Sequence, residues 1–185
     1  MYSTNTVYLL VGQRGAGKNV YASKIVSQQP EVVFISRDAV LVRLFGSTDL
    51  SPYSGQSGHG CDVTKRLLRR ILSTRTNLKI IFDYWTGESC SRQGLSQWLR
   101  RHGAVRVVAL YFITPLSSVN EWFWEKPGIA KLKEMRTRAN EGLCFFCEDA
   151  PSRDYEMFHK RASNIASDGF DEVIKINPLE PVITL

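Results

Sequence analysis

Short apolar strands alternating with helix-length segments along 185 residues predict an α/β fold, a parallel five-stranded sheet with helices on both faces. Two further observations support it. The strand runs are almost continuously apolar, as strands buried on both faces must be. A glycine-rich turn also joins the first strand to the first helix, where a sheet of this kind binds its ligand.

In chain order, strands fall at 7–12 (VYLLVG), 32–36 (VVFIS), 79–84 (KIIFDY), 106–112 (RVVALYF) and 172–176 (EVIKI). Each is short and rich in β-branched or aromatic residues. Helical patterns run from Lys18 to Gln28, Asp38 to Phe45, Val63 to Ser73 and Ser91 to Arg101. Two more lie between Leu116 and Ala139, and a last one spans Ser152 to Ser167. The Gly- and Ser-rich stretch 46–62 reads as a surface loop. The length suits a single domain over 1–185 with its own core.

Composition excludes several classes. Hydrophobic residues make up 43% and charged residues 23%, as in globular proteins generally. No apolar run approaches the roughly 20 residues that span a bilayer, so no membrane association is expected. The segment 7–12 is too short for a signal-peptide core, and a cytoplasmic location is expected. Cys61, Cys90, Cys144 and Cys147 are too scattered for a disulfide framework. Cys144 and Cys147 form a lone C-x-x-C, read as two reduced thiols because no second pair completes a zinc site.

The net charge of +6 concentrates in one region. Residues 61–110 carry Lys65, Arg66, Arg69, Arg70, Arg75, Lys79, Arg92, Arg100, Arg101 and Arg106 against Asp62, Asp83 and Glu88. Such a stretch predicts either a polyanionic partner, a nucleic acid or another anionic acceptor, or a solvated helix face.

The chemistry starts at Gly12-Gln13-Arg14-Gly15-Ala16-Gly17-Lys18-Asn19, which fits G-x-x-x-x-G-K between a strand and a helix. Glycines let backbone N–H groups close around phosphate oxygens, and the helix start adds its positive dipole end. The Lys18 ammonium reaches the β and γ phosphates, so a nucleoside triphosphate is the expected ligand. Asn19 stands where a Mg²⁺-coordinating hydroxyl is usual and offers an amide oxygen on a longer arm.

Strand two ends in ISRDAVLVRLFG. Asp38 there can take a proton from an attacking hydroxyl, or it can cap the next helix. Arg37 and Arg43 are candidates to hold an acceptor phosphate. Strand three ends at Asp83, in the form of an acid that holds the metal. Trp85 follows it near the expected cleft and is a stacking candidate. In NEWFWEK, consecutive Trp122, Phe123 and Trp124 point different ways around a helix, so core packing is expected for most of them.

GQRGAGKN, SRDAVLVRLFG and IIFD in this order resemble the P-loop kinases related to polynucleotide kinase and zeta toxin. The resemblance implies a P-loop NTPase fold with a helical lid at about 116–151, ATP with Mg²⁺ as donor, and a hydroxyl acceptor. It further implies Lys18 on the phosphates, Asp38 as general base, Asp83 near the metal, and a lid arginine, Arg136 or Arg138, on the transferring phosphoryl group. The chain departs from the pattern at Asn19, in a longer lid segment, and at Leu41, where the family usually places an arginine. A nucleic-acid 5′-OH is the first expectation for the acceptor. A small metabolite or nucleotide sugar is the alternative, and a non-catalytic binding module is a third. The oligomeric state is left open.

Overall fold

The computed structural model describes residues 4–48, 54–125 and 147–185. Five strands, β1 (Asn5–Val11), β2 (Val33–Ser36), β3 (Lys79–Asp83), β4 (Ala104–Phe112) and β5 (Glu172–Ile176), form one sheet in the order β2-β3-β1-β4-β5. All neighbours pair in parallel, with Val7 opposite both Ile80 and Val107, and Ser36 opposite Asp83. The central strand β1 is apolar on both sides because both sides are covered. Val7, Leu9 and Val11 pack with Leu68, Leu95 and Phe158, whereas Tyr8 and Leu10 pack with Tyr21 and Ile25.

The covering helices are α1 (Lys18–Gln28), α2 (Arg37–Phe45), α3 (Gly55–Thr74), α4 (Ser89–Arg101), α5 (Leu116–Glu125) and α6 (Ala150–Arg161). The loop expected over 46–62 is shorter than that. α3 begins at Gly55, because the Ser54 hydroxyl accepts from the Ser57 amide and starts the helix early. One of its glycines, Gly60, has a packing reason. A Cβ on Gly60 would come within 2.2 Å of Leu41 Cδ2, so only glycine lets α3 lie this close to α2. The last helix also differs. α6 ends at Arg161, and a separate 3₁₀ turn covers Ile165–Ser167.

Residues 177–185 run back across α1 in a segment without regular structure. The Tyr21 hydroxyl accepts from the Ile183 amide at 3.1 Å, and Gln29 both donates to Ile183 and accepts from Leu185. Val182, Ile183 and Leu185 pack there against the second core face. Among the described residues, no helix is long and apolar enough to cross a membrane.

Candidate active site

The site forms where β1, β3 and β2 end side by side. After β1 the chain turns through the glycine loop, with Gly15 and Gly17 at φ 77° and 76°, a region closed to most side chains. The loop is also walled in. A Cβ on Gly15 would meet the Val119 carbonyl of α5 at 2.9 Å, and one on Gly17 would meet the Trp122 indole at 2.9 Å and Pro178 at 3.6 Å. Thr114 anchors the turn by donating to the Ala16 carbonyl at 2.9 Å.

Lys18 folds back over this loop, and its ammonium donates to the Gly12 and Gln13 carbonyls, both at 2.8 Å. The Gln13 side chain is 6% exposed, and neither of its amide atoms has a partner among the described residues. Arg14 turns away from the turn's centre. Its Nε meets Asp154 of α6 at 2.6 Å, and its guanidinium lies 5.1 Å from the centre of the Phe123 ring. The expectation for Arg14 thus becomes specific. Its side chain braces the loop against α5 and α6, and its backbone is what can serve a phosphate. Asn19 is exposed on the first turn of α1.

Asp83 closes β3 and is 7% exposed. Burial pushes its carboxyl above the usual range, and the nearby Asp38 charge acts in the same direction. Lys18, Arg37 and a hydrogen bond from Ser36 Oγ at 3.2 Å act against it. Lys18, Asp38 and Arg37 therefore all lie within electrostatic reach of Asp83.

Asp38 sits in the first turn of α2 with its side chain 31% exposed. The helix begins one residue earlier than expected, and the capping alternative for Asp38 is corrected. Ser36 is the N-cap, accepting from the Ala39 amide at 3.3 Å. One serine thus caps the helix that carries Asp38 and holds Asp83. The sequence pattern hid this role, because the serine reads simply as a strand end. Arg37 is committed to α3. It donates to Ser57 Oγ at 2.9 Å and to Cys61 Sγ at 3.2 Å, while its Nη1 lies 3.6 Å from Asp38. Arg43 is exposed in the last turn of α2, one and a half turns beyond Asp38. Trp85 is 56% exposed and lies against Gly87, whose Cβ would stand 2.7 Å from the ring. Phe123 is buried with Ala150. Arg136, Arg138 and Cys144 lie outside the described residues.

Behind the site stands a feature that the basic stretch concealed. Arg92 of α4 is 0% exposed, and its Nε meets Asp168 at 2.5 Å. It also donates to the carbonyls of Thr86 and Arg161, and Thr86 in turn donates to Leu10. This arginine is a structural pin between the loop after β3, the end of α6 and the turn before β5. Its partner is 76 residues away, so local pattern could not reveal it.

Among the described residues, no cluster of three or more His, Cys, Asp or Glu could hold a metal by itself. The residues nonetheless fit Mg²⁺ in the form that triphosphate sites use, with one protein carboxylate and the phosphates supplying most ligands. Asp83 is a buried acid near one ammonium and a second carboxylate, and a divalent cation would compensate that charge.

A family model described as an AAA domain matches residues 7–141. No curated protein matches the sequence. Among solved structures, a chain of the Pnkp1/Rnl/Hen1 RNA repair complex superposes with a TM-score of 0.63 at 16% identity over 88% of this chain. The present chain spans about half of that one, 47%. Shikimate kinase from Acinetobacter baumannii, in complex with shikimate, gives 0.54 at 17% identity, covering 94% of this chain and 84% of its own. A structure from the PezAT chromosomal toxin–antitoxin system of Streptococcus pneumoniae gives 0.57 at 14% identity, with 99% and 72% covered. These likenesses show an α/β P-loop kinase fold, and by the match over most of its length the chain belongs to the AAA domain family.

Proposed function

We propose that the protein is an ATP-dependent phosphotransferase that moves the γ-phosphoryl group to a hydroxyl, and that a nucleic-acid 5′-OH is the acceptor. The observation that carries this is the convergence of Lys18, Asp83 and Asp38 at the ends of three adjacent strands.

The glycine loop and the α1 N-terminus receive the phosphates, and Lys18 exchanges its two carbonyl partners for β- and γ-oxygens. Mg²⁺ bound with the triphosphate supplies neutralisation of the developing charge, with Asp83 as its protein carboxylate and Asn19 as a weaker candidate. Asp38 accepts the acceptor's hydroxyl proton as the oxygen bonds to the γ-phosphorus and the bond to the β-phosphate oxygen breaks, releasing ADP. Arg37 holds Asp38 in place, Arg43 and Trp85 are proposed to contact the acceptor, and Arg136 or Arg138 is proposed to steady the transferring group.

Catalysis here is mainly placement, because phosphoryl transfer asks for little covalent chemistry from the protein. The fold alone admits a small acceptor, since shikimate kinase shares it. The choice of nucleic acid rests on the cationic face of α3. Transfer of radiolabelled phosphate from ATP to 5′-OH RNA, DNA, tRNA and a metabolite panel tests the proposal. Labelling of metabolites alone would move the acceptor to the small-molecule class. ATP binding with no transfer to any acceptor would leave a binding module, the outcome that exposed Asn19 favours.

A further inference from the structure

Folding sorts the cations of residues 61–110 into two kinds. Arg92 is spent on Asp168, Arg100 on Asp171 at 2.9 Å, and Arg106 on Glu172. Lys65, Arg66, Arg69 and Arg70 stay together on α3, and no carboxylate pairs with them among the described residues. Lys65 and Arg69, like Arg66 and Arg70, are four residues apart, where like charges repel and destabilise the helix. Asp62, three residues before Lys65 and four before Arg66, is the one carboxylate that α3 sets against these four cations, so the face keeps a net positive charge.

α3 carries this charge away from the candidate site. Its first turns touch the candidate site, since Ser57 and Cys61 hold Arg37 beside Asp38. Its far end lies at the opposite end of the strands, at the start of the central β1, where the Asn5 amide donates to the Arg75 carbonyl at 2.8 Å. Between these ends, Asp62, Lys65, Arg66 and Arg69 of α3 and Trp98 of α4 line a groove of about 440 Å³. Lys65 ties the groove to the site. Its ammonium lies 5.2 Å from the centre of the Tyr84 ring, one residue after Asp83, and 5.8 Å from that of Trp98. Trp98 is a wall and not a stacking platform, because His102 stacks on it at 4.3 Å.

We propose that the α3 face is a phosphodiester track, binding the backbone of a single-stranded nucleic acid whose 5′ end lies at Asp38. Its polarity rests on the function proposed above; its charge does not. From Cys61 to Arg69 the helix rises about 12 Å, the length of about three phosphates at the roughly 3.4 Å rise of a stacked strand. The contacts reach phosphates and no base edge, so the track confers length dependence without sequence preference.

Transfer to 5′-OH acceptors of increasing length, from dinucleotide to dodecamer, tests this alongside fluorescence anisotropy of a labelled dodecamer across salt. The dodecamer should have the lower KM, and a fourfold rise in salt should weaken its binding about 20-fold through these three contacts. Replacing Arg66, Arg69 and Arg70 with Gln should bring the dodecamer's KM to that of the dinucleotide and lower the salt slope by about 2. The charge-matched control, Lys24, Lys160 and Lys175 to Gln, should keep the length dependence. Equal KM for both lengths in the parent overturns the track, as does an unchanged slope in the arginine variant, which would mark a solvated or protein-binding face. Salt-dependent binding that the arginine variant loses, with no transfer to any acceptor, supports the track and removes the kinase proposal instead.

Discussion

Ser36 does two jobs with one oxygen, capping α2 and donating to Asp83. That division makes Asp38 a clean target, because the cap does not depend on it. Asp38→Asn should lower turnover by about 10² to 10⁴, the usual contribution of a positioned base, with ATP affinity unchanged by calorimetry. A rate equal to the parent's would return Asp38 to a structural part. Asp83 gives the opposite signature. Its raised carboxyl means that the folded state holds the proton more tightly than the unfolded chain, so its charge costs stability as pH rises through the raised value. Asp83→Asn should therefore raise the Tm of the nucleotide-free protein by about 2–4 °C, worth about 1 kcal/mol in a domain of this size. The same variant should lose Mg²⁺-dependent transfer. A lower Tm would show that the Asp83 charge already has its full compensation in the empty protein.

Elements meet at fixed points, and two of these control the site. At the first, α2 and α3 touch through Leu41 and Gly60. In Gly60→Ala the buried Leu41 side chain must turn aside or α3 must move out, and α3 moving out takes Ser57 and Cys61 from Arg37. We expect a loss of about 1–3 kcal/mol in urea unfolding, as for overpacked cores, and a fall in kcat. At the second, the Arg92–Asp168 pair pins α4 to the turn before β5. Asp168→Ala leaves a buried guanidinium without its counter-charge and should cost about 3–5 kcal/mol. A loss below about 1 kcal/mol would mean that the two carbonyl partners alone satisfy Arg92. Legibility followed range. The strands, α1 and the glycine loop were readable because period and motif are local. The start of α3 was not, since Gly55, Gly58 and Gly60 argue for a loop, and only Gly60 has a packing reason, the Leu41 side chain against it. Arg92 looked like surface charge for the same reason, its partner lying in a distant turn.

At the scale of the molecule, the carboxylates and the lysine lie at one end of the sheet because strand order places β1, β3 and β2 together. The sequence shows each strand end but not their neighbourhood, which only the topology supplies. It also showed nothing of the segment 177–185 across α1, which carries no repeat or period. Global stability should follow pH through His159. This ring lies beside Tyr111 and Tyr155, with its Nε2 buried and without a partner among the described residues, and burial lowers its pKa. The unfolded chain then binds the proton more tightly, so stability is full above about pH 6.5 and is lost as pH falls toward the lowered value. Thermal melts from pH 8 to 5 should show a downward slope below about pH 6.5 that His159→Phe flattens. An unchanged slope in the variant would assign it to other groups.

The Trp122 indole lies against Gly17, at the turn where the phosphates are proposed to enter. An indole placed there is an optical gauge built into the chain. A polyanion arriving a few atoms away alters the field across the ring, and with it the colour and yield of its emission. Filling of the site can therefore be followed in real time without any label, and Trp122→Phe is the variant in which that signal should go dark.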